Sequence, residues 1–156
     1  EAPPEPKTKG PKFTPVAFHD ACILRVQSRL GQPLIKRTRA SYSSPEKSVI
    51  VNCAVSKEHN PDTHPNYWYA FHPHQRDFLK TSQKAYIVLG CGSSKRVLLI
   101  PFTDFDPWVA GMWRTEAEDR SYWHVVIDRK GDHYSLRRKK GEKSVDLTKY
   151  LLGHDV

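Results

Sequence analysis

Four short apolar runs constrain this chain more than any other feature: SVIVNCAVS at 48–56, AYIVLGC at 85–91, RVLLIP at 96–101 and YWHVVID at 122–128. Each is rich in β-branched or aromatic residues, shorter than an ordinary helix, and flanked by turn formers such as SSPEK, GSSK and RKG. They predict strands. The pair at 85–101 is apolar on both faces, so this hairpin should be covered on both sides. A second hairpin is predicted from 122–128 and HYSLRR. A tight turn at Lys130–Gly131 would pair Ile127 with Tyr134 and Val125 with Leu136, and set Asp128 across from His133.

Between these runs the pattern changes period. TPVAFHDACILRVQSRLG carries Val16, Cys22, Ile23, Val26 and Leu30 at three- and four-residue steps, with Thr14 as a cap, Pro15 in the first turn and Gly31 as the stop. That predicts an amphipathic helix. PHQRDFLKTSQK predicts a short helix, FTDFDPWVAGMW a broken one and DLTKYLL a last one. LIKRTRASY alternates over 34–42, which predicts a half-exposed strand showing Arg37 and Arg39 on one side. NYWYAFH, from Asn66, predicts a strand with Tyr67, Tyr69 and Phe71 in the core and Trp68, Ala70 and His72 opposite. Trp68 is expected to be core as well, under a covering helix; uncovered, it would lie beside Arg37 and Arg39 and could stack a base. The expected fold is α+β, a mainly antiparallel sheet built from hairpins with three to four helices.

At 156 residues a single core suffices. EAPPEPKTKGPK, residues 1–12, holds four of the twelve prolines and reads as a flexible Pro/Lys-rich linker, with one α+β domain over 13–156. No apolar run is long enough to span a bilayer, so no membrane partner is expected. Cys22, Cys53 and Cys91 are odd in number, far apart and set among apolar neighbours. They suit buried free thiols in a reducing compartment, and a cytoplasmic protein.

The net charge is +8, a field that attracts polyanions. The cations fall into groups: Arg37 and Arg39, Lys95 and Arg96, Arg129 and Lys130, and the run Arg137, Arg138, Lys139 and Lys140. Scattered cations of this kind suit phosphate contacts, which need no fixed motif. GCGSSK resembles the start of a phosphate loop, but a strand rather than a helix follows it, so it reads as a hairpin turn with Gly92 at positive φ. His59, His64, His72 and His74 lack the paired spacing of a zinc site, and no metal is assigned to them.

Asp128 and Lys130 form the acid-x-Lys triplet that metal-dependent nucleases place at a strand end, with Asp104, Asp106, Glu116, Glu118 or Asp119 as the second acid. The expectation drawn is a nucleic-acid-binding module, DNA foremost, of a larger restriction, defence or repair-type protein, working beside other domains of the same chain and without a cofactor. The alternatives are a divalent-metal nuclease using Asp128, Lys130 and magnesium, and a protein-interaction domain.

Overall fold

Helix α1 (Pro15–Leu30) begins on a proline and ends where Gly31, at φ +71°, donates its amide to the Gln27 carbonyl. Its Cys22, Ile23 and Val26 are buried as the spacing predicts, whereas Val16, expected on the same apolar face, is exposed, as is Leu24. The computed structural model describes residues 15–153. The expected linker at 1–12 and the Thr14 cap lie outside the described residues.

The chain is α+β, with three α-helices among the described residues and two sheets, one mixed and one antiparallel. The mixed sheet contains β1 (Ile35–Lys36), β2 (Ser41–Ser43), β3 (Val49–Ser56), β5 (Lys84–Cys91) and β6 (Ser93–Pro101), in the order β1-β2-β3-β5-β6. The antiparallel sheet contains β4 (Asn66–Phe71), β8 (Arg120–Lys130), β9 (His133–Arg137) and β10 (Val145–Asp146), in the order β10-β9-β8-β4. A further strand, β7 (Arg114–Ala117), also pairs with β8. Helices α2 (Pro73–Leu79) and α3 (Phe102–Phe105) are short, and α3 runs into a 3₁₀ segment over Asp106–Gly111, the broken helix expected there.

The sheets stack over a core in which Ile87, Leu89, Leu98 and Ile100 meet Tyr67, Tyr69, Phe71, Val125 and Ile127. The other face of the mixed sheet packs Val51, Cys53, Val88 and Val97 against α1. The β5–β6 hairpin is therefore covered on both sides, as its apolar alternation requires. Each large side chain so enclosed is worth about 1.5–3 kcal/mol. Gly90 makes the helix layer possible: a Cβ there would stand 2.6 Å from Phe18 and 2.9 Å from the Cys22 sulfur.

Several expectations are corrected. Segment 34–42 is a hairpin, with Lys36 across from Tyr42, and its middle bends instead of continuing the strand. Short polar side chains cause the bend: Thr38 and Ser41 bond one another, and the Arg37 and Thr38 amides both reach the Ser41 carbonyl. Strands β3 and β5 are parallel, because the chain leaves the mixed sheet to form β4 in the other and returns through α2. The β8–β9 hairpin closes at Lys130 and His133, with Ile127 across from Leu136 and Asp128 across from Ser135. Gly131, at φ +62°, occupies the first of the two loop positions, where tight hairpins favour glycine. Every pairing moves by two residues from the expected register, so each side chain keeps its face and only its partner changes. Residues 148–150 form a 3₁₀ turn where a last helix was expected, and β7 and β10 were not anticipated.

Candidate nucleic-acid interface

Alternation along β8 sends Val125 and Ile127 into the core and leaves His124, Val126 and Asp128 on the outer face of the antiparallel sheet. Trp68 stands across from Val126 on this face, half-buried, among Tyr122, His124 and Val126, which are themselves buried. Helices α1, α2 and α3 pack chiefly against the mixed sheet, not over Trp68 as expected. Nor does Trp68 lie beside Arg37 and Arg39, which belong to the other sheet's hairpin.

The Trp68 indole N–H donates to His124 Nδ1 at 3.0 Å, and His124 Nε2 lies 2.7 Å from Thr115 Oγ1. An indole can only donate, so Nδ1 carries the lone pair and the His124 proton sits on Nε2, pointing to Thr115. Trp68 also stands edge-on to Tyr122 at 6.0 Å, and His72 stacks on His74 at 5.4 Å. Burial, with the charge of His74, lowers the His72 pKa.

The Asp128 carboxylate is fully engaged. Arg137 grips it with two nitrogens, Nε lying 3.0 Å from Oδ2, and His64 Nε2 lies 2.8 Å from Oδ1. Burial pushes the Asp128 pKa up, but these hydrogen bonds outweigh it and hold the carboxyl below its ordinary value. The expected second acids are occupied elsewhere: Asp104 accepts from Tyr150, Asp106 from Arg76, and Glu116 pairs with Arg114. Glu118 and Asp119 turn the chain at the far end of β8, roughly 30 Å from Asp128 at a strand's rise. Asp146 does line the cleft that Asp128 lines, and its carboxylate accepts the Thr148 amide. Among the described residues no group of three or more His, Cys, Asp or Glu is placed to hold a metal.

The ten expected phosphate-binding cations separate into two kinds. The arginines at four positions are spent on the fold. Arg37 donates to Ser43 and to the Ser44 and Pro45 carbonyls. Arg129 bonds Glu58 at 2.8 Å, the Tyr67 hydroxyl at 2.9 Å and the Gly131 carbonyl at 2.9 Å. Arg137 holds Asp128, and Arg138 donates to the Lys143 carbonyl. A fork of five N–H donors suits such pinning, whereas a lysine ammonium does not. Lys95, Arg96, Lys130, Lys139, Lys140 and Arg39 form no ion pair with a carboxylate among the described residues.

Of these, Lys95, Arg96 and Lys130 come together. The β5–β6 and β8–β9 tips meet at one end of the stacked sheets, flanked by two clefts that share Tyr134. One, of about 620 Å³, is lined by His64, Asp128, Arg129, Lys130 and His133. The other, of about 520 Å³, is lined by Arg25, Lys95, Arg96, Asp132 and Tyr134. Lys139 and Lys140 follow the opposite end of β9, where the Lys139 amide bonds the Gly111 carbonyl.

Glu58, Tyr67, Arg25 and Tyr134 had no place among the expected site residues. Glu58 and Arg129 are 71 residues apart, so no local pattern could join them. Burial pushes the Glu58 carboxyl up, but hydrogen bonds from Tyr67 and Arg129 leave it below its ordinary pKa. Cys22, Cys53 and Cys91 are buried free thiols, and burial drives the Cys91 pKa to about 12. No described helix is long and apolar enough to cross a membrane. No protein-family model, curated protein or solved structure matches the chain.

Proposed function

We propose that this chain binds nucleic acid, DNA foremost, across the end of the stacked sheets where the β5–β6 and β8–β9 hairpins meet. One observation carries the reading: Lys95 and Arg96 from one sheet and Lys130 from the other line adjoining clefts with no carboxylate ion-paired to them among the described residues. Phosphates favour such cations because each contact releases condensed counterions. Trp68 lies four β8 positions back from the tip, roughly 13 Å, within reach of a strand that follows the outer face. In a larger restriction, defence or repair-type protein, this surface would hold substrate for a neighbouring domain.

The test is fluorescence anisotropy of a labelled oligonucleotide across a salt series. Affinity should fall linearly in log–log form, and Lys95→Ser, Arg96→Ser and Lys130→Ser together should lower the slope by about two to three units. Lys139→Ser with Lys140→Ser should change it far less. A triple variant with wild-type affinity and slope would remove the tip surface from the proposal.

A further inference from the structure

Tyr134 is 1% exposed, and its hydroxyl has no acceptor; the Arg96 guanidinium stands near enough to donate to it weakly, short of a full hydrogen bond. An enclosed hydroxyl with no acceptor is a cost the fold bears without return unless something else occupies the site. Its surroundings are cationic. Burial raises the Tyr134 pKa, and the nearby Arg96 and Arg129 guanidiniums pull it back. Arg129 is neutralised by Glu58, whereas Arg96 pairs with no carboxylate among the described residues. Tyr134 and Arg96 line the same 520 Å³ cavity, together with Lys95. Its wall is held in place by Arg25, whose guanidinium donates to the Ser94, Lys95 and Gly153 carbonyls at 3.0, 3.1 and 2.8 Å.

We propose that this cavity binds a phosphate monoester, with Arg96 and Lys95 holding its charge and the Tyr134 hydroxyl donating to one of its oxygens. A guanidinium fork, a point charge and a neutral donor suit a group with three outward oxygens. Asp132, also lining the cavity, repels an anion that continues past it, so a terminal phosphate fits better than one in mid-chain. The ligand is a phosphorylated strand end or a small phosphorylated molecule. Only the choice of a strand end rests on the nucleic-acid reading above.

The experiment titrates inorganic phosphate into the whole chain at constant ionic strength and follows the melting temperature. A saturable rise is expected. Tyr134→Phe removes a hydroxyl with no acceptor and only a weak contact from Arg96, so it should melt close to wild type without phosphate and bind phosphate about tenfold more weakly. Arg96→Gln should weaken binding at least as much; if it does not fold, Tyr134→Phe decides alone. An unsaturable response, or Tyr134→Phe binding like wild type, overturns the proposal. A second arm compares oligonucleotides ending in 5′-phosphate and 5′-hydroxyl. A preference for the phosphate that Tyr134→Phe abolishes assigns the pocket to strand ends. Equal affinities beside saturable phosphate binding assign it to a small phosphorylated molecule. Phosphate binding with no oligonucleotide binding sinks the nucleic-acid reading and leaves the pocket in place.

Discussion

Two carboxylates illustrate how single residues act here. Glu58 and Asp128 are both held below the ordinary carboxyl pKa by arginine hydrogen bonds that outweigh their burial. Unfolded, both would titrate near 4, so the folded state binds fewer protons in acid. Their stabilisation is complete above that value and disappears as pH falls through the lower folded pKa. Chemical denaturation from about pH 5 down to pH 2 should show the loss, and Glu58→Gln should flatten the curve. Arg129→Ala strands Glu58 and the Tyr67 hydroxyl, and should cost about 2 kcal/mol, the pair being only partly buried. Asp128→Asn loosens Arg137 and His64 and should cost about 0.5–1 kcal/mol. With its acceptors so engaged, neither wild type nor Asp128→Asn is expected to cleave plasmid with magnesium present. Cleavage lost only in the variant would restore the nuclease reading. Trp68→Ala strands the buried His124 Nδ1 and should cost about 1–3 kcal/mol of stability, read by denaturation, while weakening single-strand binding of the folded variant by about 1–3 kcal/mol.

At the level of elements, two glycines control how parts meet. Gly90 lets α1 approach the mixed sheet, and Gly90→Ala would drive a methyl into Phe18 and the Cys22 sulfur. Overpacking of this kind costs about 1–3 kcal/mol, measurable as a lower denaturant midpoint at unchanged slope. Gly131→Ala meets open space, so any loss comes from its backbone at φ +62° alone. About 1 kcal/mol is expected, with the β8–β9 register unchanged by amide chemical shifts. The short helix α2 has its own local logic: Pro73 sets the first turn and Gln75 Oε1 accepts the His72 amide at 2.9 Å. HPHQ thus reads as a helix start, which gives His72 and His74 a structural place.

Over the whole molecule, the basic charge is less uniform than its total of +8 suggests. Arginines 37, 129, 137 and 138 tie strands, turns and carbonyls together. Of the ten cations expected to bind phosphate, those without an ion pair among the described residues are mostly lysines, at hairpin tips or beyond the far end of β9. Salt should therefore weaken polyanion binding steeply while hardly changing the melting temperature, because the pinned arginines lie in shielded pairs. A parallel fall of both with salt would mean that the surface charges also hold the fold.

Much of this was legible along the chain because it depends on period and on neighbours. The strands at 49–56, 85–91 and 122–128 follow from runs of β-branched residues, α1 from its three- and four-residue spacing and the Gly31 stop, and the inward set Tyr67, Tyr69 and Phe71 from simple alternation. Alternation gives faces but not partners. It could not reveal that β4 leaves β3 for a second sheet, that β3 and β5 run parallel, or that the Trp68 indole reaches His124. Nor could it separate Arg129 from Lys130, adjacent in sequence, one gripping Glu58 across 71 residues and the other unpaired at the tip. Whether a charge is structural or available depends on which distant groups the packed sheets bring within hydrogen-bond reach, and only the tertiary structure decides that.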